Sequence, residues 1–242
     1  MSIAGIDGCR KGWLMVKYSD NIYSYGVYEN IAELVKDNKD LERILVDMPI
    51  GLSSKKMIRT VEKKLRSKLK YRHASVFNPP CREALNENNY LAAKHRNIEV
   101  EGKSISIQSF NISNKIKELD EFLSKNPEKE IIESHPELCF KYLNNGNVLL
   151  SKKSEDIGLS ERKNILYRYD ERLKELFNLI EQNTLRKDVA RYDIADAICL
   201  CLVNKLGRRN QLSFIEDNNK LDERDIKIRI AYYSENSVLV NA

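Results

Sequence analysis

Hydrophobic and polar positions change period several times along the chain, and each change marks an element. SIAGIDGC, residues 2–9, is a short apolar run that stops at Asp7-Gly8 and reads as a buried strand ending in a turn. WLMVKYS and IYSYGVYE follow, separated by a turn near Asp20-Asn21, and together the three runs predict an antiparallel meander. From Ile31 the period lengthens: Ile31, Leu34 and Val35 share a helical face behind Asn30, a good N-cap. The apolar core of RILVDMPIGL predicts another buried strand, ended by Asp47-Met48-Pro49. Reached through a helix, it is expected to run parallel to the first.

Beyond it the pattern is mostly helical. A basic helix is predicted over roughly residues 55–70, and Asn78-Pro79-Pro80 breaks the chain. CREALNENNYLAAKHRN reads as a helix and SISIQSF as a linking loop. NISNKIKELDEFLSKN is amphipathic, with Ile112, Ile116, Leu119 and Phe122 on one stripe. EIIESHPE predicts a short strand ending at Glu133, with Pro136 opening the next helix. Residues 160–181 read as helix. DVARYDIADAICLCLVNKLG is the most apolar helix, expected to stop at Gly207. LSFIED and IKIRIAYY read as a closing hairpin or an appended pair of strands. The order gives an α/β fold with a mixed sheet flanked by helices, taken as one domain over residues 1–242.

Composition narrows the class. With 42% hydrophobic and 32% charged residues, the chain carries enough apolar surface for a packed core. No apolar run approaches the roughly 18 residues that span a bilayer, and the N-terminus lacks a secretory pattern, so a cytoplasmic protein without a membrane partner is expected. The five cysteines are irregularly spaced with no C-x-x-C pair, which argues against a zinc ribbon or a disulfide-linked partner. The net charge is +5, yet nine Lys or Arg stand against Glu62 alone between Lys55 and Arg72. That segment, Lys63 and Arg66 included, reads either as a solvated helix face or as a grip on a phosphate backbone.

The chemistry-bearing pattern is acidic. Asp7, Asp47 and Glu133 each close a predicted strand, and in open α/β sheets ligands gather beyond the carboxyl ends of strands. Asp193 and Asp196 lie three apart on the apolar late helix and so share a face, which docking onto the sheet brings toward those ends. Uncompensated carboxylates raise one another's pKa, and hard divalent cations relieve that repulsion. Mg²⁺ or Mn²⁺ is therefore the expected cofactor; a pair of such ions activates water and stabilises the leaving oxygen of a phosphodiester. Each acid also has a plain structural reading, as a turn residue or helix cap.

Five ordered stretches, GIDGCRKGW (5–13), VDMPIGL (46–52), SVFNPP (75–80), ESHPE (133–137) and DIADA (193–197), resemble the family of unknown function numbered 429, described as predicted RNase H-like nucleases. The resemblance spans about residues 3–206 and leaves 208–242 without an assigned role. It implies an RNase H-like fold, a metal-dependent nuclease, and DNA or RNA as partner. Asp7, Asp47 and Glu133 match the strand acids, and Asp193 and Asp196 the helix acids. Tyr192 stands where the family often has the first of an acidic pair.

Around these motifs Arg10, Ser75, Arg82, Gln108 and His135 are candidates to hold an anion near the ions, arginine offering phosphate a bidentate fork. Ser75 in a turn, Gln108 in a loop and His135 before Pro136 fit structural roles as well, and His135 also suits a proton shuttle. The competing functions are a nucleic-acid-binding module without turnover and small-molecule phosphotransfer. The latter is disfavoured by only nine glycines and no phosphate-loop pattern. A Cys9 nucleophile beside Arg10 lacks any orienting third residue.

Overall fold

A computed structural model describes residues 2–210 and 212–234. The chain opens with the meander: β1 (Ser2–Cys9), β2 (Gly12–Ser19) and β3 (Ile22–Tyr28), paired antiparallel. Asp20 and Asn21 turn the second corner with positive φ of 50° and 67°, a conformation Asn and Asp tolerate best among non-glycine residues. Helix α1 (Ile31–Asp37) starts as expected, the Asn30 side chain accepting from the Glu33 N–H. β4 (Leu41–Val46) then lies parallel to β1.

The middle of the chain is helical: α2 (Val61–Leu69), α3 (Tyr90–Glu101), α4 (Ile107–Asn111) and α5 (Ser113–Lys125). Three expectations change here. The basic helix begins only at Val61, because residues 53–59 are held in irregular backbone: the Ser53 hydroxyl binds the Arg59 N–H, and Ser54 pairs with Met57. CREALNENNYLAAKHRN holds a single 3-10 turn at Ala84–Asn86 and becomes α-helical only from Tyr90, where Asn89 caps the first turn by accepting from the Ala92 N–H. SISIQSF contains a helical turn rather than a loop, since the Ser106 hydroxyl caps the Ser109 N–H.

β5 (Ile131–Glu133) and α6 (Pro136–Leu143) follow, then α7 (Asp156–Tyr169), α8 (Arg172–Asn183) and α9 (Arg191–Asn210). The helical stretch over 160–181 is two helices, interrupted at Asp170, whose carboxylate accepts from the Arg172 N–H. Gly207 does not stop α9. A Cβ there would lie 2.4 Å from Leu212 Cδ2, so this glycine makes room for a neighbour. β6 (Ser213–Leu221) and β7 (Lys227–Tyr232) form the expected pair, a separate two-stranded sheet. Residues 235–242 of the unassigned C-terminal segment lie outside the described residues.

The chain divides into two compact units: Met1–Asp47, Lys129–Phe214 and Ala231–Ala242 in the first, Met48–Glu128 and Ile215–Ile230 in the second. The first holds a five-stranded mixed sheet of order β3-β2-β1-β4-β5, an α/β arrangement consistent with an RNase H-like fold. Its central helix, α9, is buried on nearly every side, with residues 194–195 and 197–203 all at most 1% exposed. Close docking on β1 is possible because Gly5 has no side chain: a Cβ there would lie 2.1 Å from the Cys201 N and 2.5 Å from the Ala197 O. Asn204 locks the position, donating to the Ala4 carbonyl at 2.9 Å and the Arg43 carbonyl at 3.0 Å while accepting from Arg43 Nε. Among the described residues no helix is long and apolar enough to cross a membrane.

Candidate functional site

The site follows from strand register. Ile6 is level with Val46, and Val46 with Glu133, so Asp7 and Asp47 stand one residue further on along neighbouring parallel strands. The ladder continues past the formal strand ends: the Asp47 N–H donates to the Ile6 carbonyl at 3.0 Å and the Ser134 N–H to the Val46 carbonyl at 2.9 Å. Side chains alternate along a strand. Gly5 faces α9, so Asp7, two residues on, faces α9 too, and Asp47 shares that level. From α9 comes Asp196. One carboxylate oxygen from each of Asp7, Asp47 and Asp196 lies within 4.8 Å of the others.

The same alternation explains which acid is left out. Glu133 is level with Val46 rather than Asp47, so its side chain points to the opposite face and is not in that set. It is buried and acts on Asp47 through space. Asp193 caps α9 by accepting from the Ala190 N–H at 2.9 Å and adds negative potential at Asp7.

The electrostatics are strained. Burial pushes the Asp7 carboxyl well above the usual carboxylate range, and the charges of Asp47, Asp196 and Asp193 add to the shift. Burial likewise raises Asp47 to about 7, with Asp196 and Glu133 adding to it and Lys153 opposing it. Asp196, 1% exposed, is also raised, burial again dominating and Lys153 opposing. Among the described residues its buried Oδ1 has no hydrogen-bond partner. Asp47 is partly exposed, so the cluster has an opening to solvent.

Three residues that sequence reasoning passed over shape this field. Lys153, in the irregular segment between α6 and α7, donates to Asp196 Oδ2, and its ammonium lies 5.3 Å from the Tyr192 ring centroid. Burial alone would weaken its hold on the proton; the carboxylates of Asp196, Asp7 and Asp47 outweigh that and raise its pKa. Glu137 on α6 is buried and makes Asp47 and Asp196 harder to ionise, while the fully buried Arg162 donates to it at 2.7 Å. Glu137 lies inside a motif already noted; Lys153 carries no periodicity or motif that marks it.

The remaining candidates are placed less pointedly. Arg10 and Lys63 are exposed, and Gln108 is exposed on α4. His135 sits at the N-cap of α6. The Ser75 hydroxyl closes a local turn onto the Arg72 carbonyl. Arg66 donates to the Val76 carbonyl and Asn78. Arg82 donates to Asp120 at 2.8 Å, Asp222 at 2.5 Å and Glu223 at 3.0 Å, all within the second unit.

Fold and site together define an α/β protein with a buried carboxylate cluster at the carboxyl ends of two central parallel strands. The chain belongs to the family described as protein of unknown function (DUF429), whose model matches residues 5–220 and so runs past the last of the five motifs into β6. No curated protein and no solved structure matches it.

Proposed function

We propose that the chain is a metal-dependent nuclease of the RNase H-like kind, hydrolysing phosphodiester bonds of DNA or RNA with Mg²⁺ or Mn²⁺. The observation that carries this reading is the convergence of three carboxylates, two from adjacent strand ends and one from α9, within 4.8 Å. The donor set fits a hard cation: it offers oxygens alone, and Asp196 Oδ1 is buried with no partner to satisfy it. A bound divalent ion supplies Lewis-acid stabilisation and a water of lowered pKa. Asp7 and Asp47 would hold the ion from the sheet and Asp196 from the helix. Asn204 and Gly5 keep α9 at the height where Asp196 meets the strand ends. Glu133 and Glu137 deepen the negative potential, and a phosphate would approach from the side on which Asp47 is partly exposed.

The test is cleavage of a mixed panel of DNA and RNA, single and double stranded, with Mn²⁺ or Mg²⁺. Turnover should drop by about 10³-fold or more in Asp7→Asn and Asp47→Asn; a double variant with undiminished turnover refutes the assignment. One observation favours the non-catalytic nucleic-acid-binding module instead: Lys153 already gives Asp196 a cation. That module binds with strong salt dependence, indifferent to metal and to Asp7→Asn.

A further inference from the structure

We propose that Lys153 is an internal counter-cation that competes with the divalent ion for Asp196, so that ion binding requires its ammonium to withdraw. The inference rests on the metal-site reading above and concerns how the site fills.

Fully ionised, the cluster needs a positive charge beside it. Buried carboxylates within 4.8 Å of one another cannot all ionise without one. Lys153 meets that need partially: its ammonium donates to Asp196 Oδ2 and is felt at Asp7 and Asp47, while Asp196 Oδ1 keeps no partner. One ammonium for three acids, with the Arg162 guanidinium felt at Asp196 but bonded to Glu137, leaves room for a better cation. A divalent ion held by the same carboxylates would bring two charges, and an ammonium on Asp196 would repel it at close range in a site with little water. The two occupants therefore exclude each other.

Withdrawal has a route. Lys153 is on an irregular segment, its stem has four flexible bonds, and its side chain is 35% exposed whereas that of Asp196 is 1% exposed. The Tyr192 ring already lies 5.3 Å from the ammonium while it is on Asp196, so a small swing of the stem can leave the carboxylate without giving up the ring. Any cation that leaves Asp196 must be replaced by one that binds more strongly. The lysine thus selects against monovalent ions and holds the fold together until a divalent one arrives.

The experiment is Mn²⁺ binding to the full chain, read from the resonance of free Mn²⁺, in wild type, Lys153→Met and Lys153→Gln. Both variants are expected to bind Mn²⁺ about tenfold or more tightly than wild type. Metal-free, they should melt at lower temperature than wild type, the difference closing at saturating Mn²⁺. Lys153→Gln keeps a hydrogen-bond donor without the charge, so it reports competition even where the methionine variant is poorly folded. A variant that folds only with Mn²⁺ shows the same competition through stability. Equal or weaker Mn²⁺ affinity in a variant that is folded without metal, with wild type binding normally, overturns the lysine's role alone. Absence of Mn²⁺ binding in wild type and variants alike overturns the metal site together with it.

Discussion

The two units each bury a group of acids, and they treat them oppositely. In the second unit, Asp120 and Asp222 face Arg82, and Arg224 donates to Asp120 at 2.8 Å. Asp222 also accepts from the backbone N–H groups of Leu52, Arg224 and Ile226. In the first unit, Asp7, Asp47 and Asp196 share one ammonium, and an Asp196 oxygen has no partner. Buried charge that is fully paired and hydrogen-bonded is architecture; buried charge left short of cations is poised to take one. Arg82 shows the lesson from the other side, since it was a candidate phosphate anchor and its guanidinium is committed to three carboxylates.

The contrast predicts opposite signs for charge removal, and this is the largest effect. Asp222→Ala strips Arg82 of a partner and three N–H groups of their acceptor, and should destabilise the protein by about 3–5 kcal/mol. Asp7→Asn relieves repulsion and should raise metal-free stability by about 0.5–2 kcal/mol while abolishing metal-induced stabilisation. Denaturant unfolding of both variants with and without Mn²⁺ measures this. Comparable losses in the two would erase the distinction between paired and unpaired acids.

How much of this was legible in the sequence depends on the kind of signal. The strands before Asp7 and Asp47 announce themselves because apolar runs end in turn chemistry, and parallel pairing of β1 with β4 follows from the intervening helix. Asp196 was legible as an acid on an otherwise apolar helix. Glu133 closes an apolar run as Asp47 does, and that is all the sequence shows of it; the register sets it one residue short of Asp47 and therefore on the other face. Lys153 was invisible: a lysine in an irregular segment looks like any surface cation until the fold brings it to Asp196. Arg66 and Arg82 looked free because nothing in a one-dimensional pattern shows which carbonyls and carboxylates will claim a guanidinium.

The second prediction sharpens the comparison through pH. The Asp47 carboxyl, ordinarily at 3.8, is pushed up to about 7 in the fold, first by burial and then by its acidic neighbours. The folded state therefore binds this proton more tightly than the unfolded chain. Its contribution to stability is whole below about 3.8 and is lost as pH rises through about 7. Metal-free protein should lose stability across that window with a slope on the order of 1 kcal/mol per pH unit at its steepest. Saturating Mn²⁺ should flatten the slope, because the ion takes over from the proton. Thermal melts at several pH values, with and without Mn²⁺, decide it. A metal-free midpoint that rises with pH would mean that the acids of the first unit are as well paired as those of the second.

Gly5→Ala tests whether the cluster depends on the approach of helix to sheet. The new methyl meets backbone atoms of α9 at 2.1 and 2.5 Å, so the helix, anchored further along by Asn204, must tilt or slide. Overpacking of this kind costs about 1–3 kcal/mol, less than the loss of Asp222. The informative part lies beyond stability. A displaced α9 carries Asp196 away from Asp7 and Asp47, which ride on the sheet, so Mn²⁺ affinity should fall even where the protein remains folded. The paired acids of the second unit use no residue of α9, so the stability change caused by Asp222→Ala should be the same in the Gly5→Ala background as in wild type. Retention of full Mn²⁺ affinity in folded Gly5→Ala protein would show that the ion is held by the strand acids alone and that α9 is only a lid of packed side chains over the sheet.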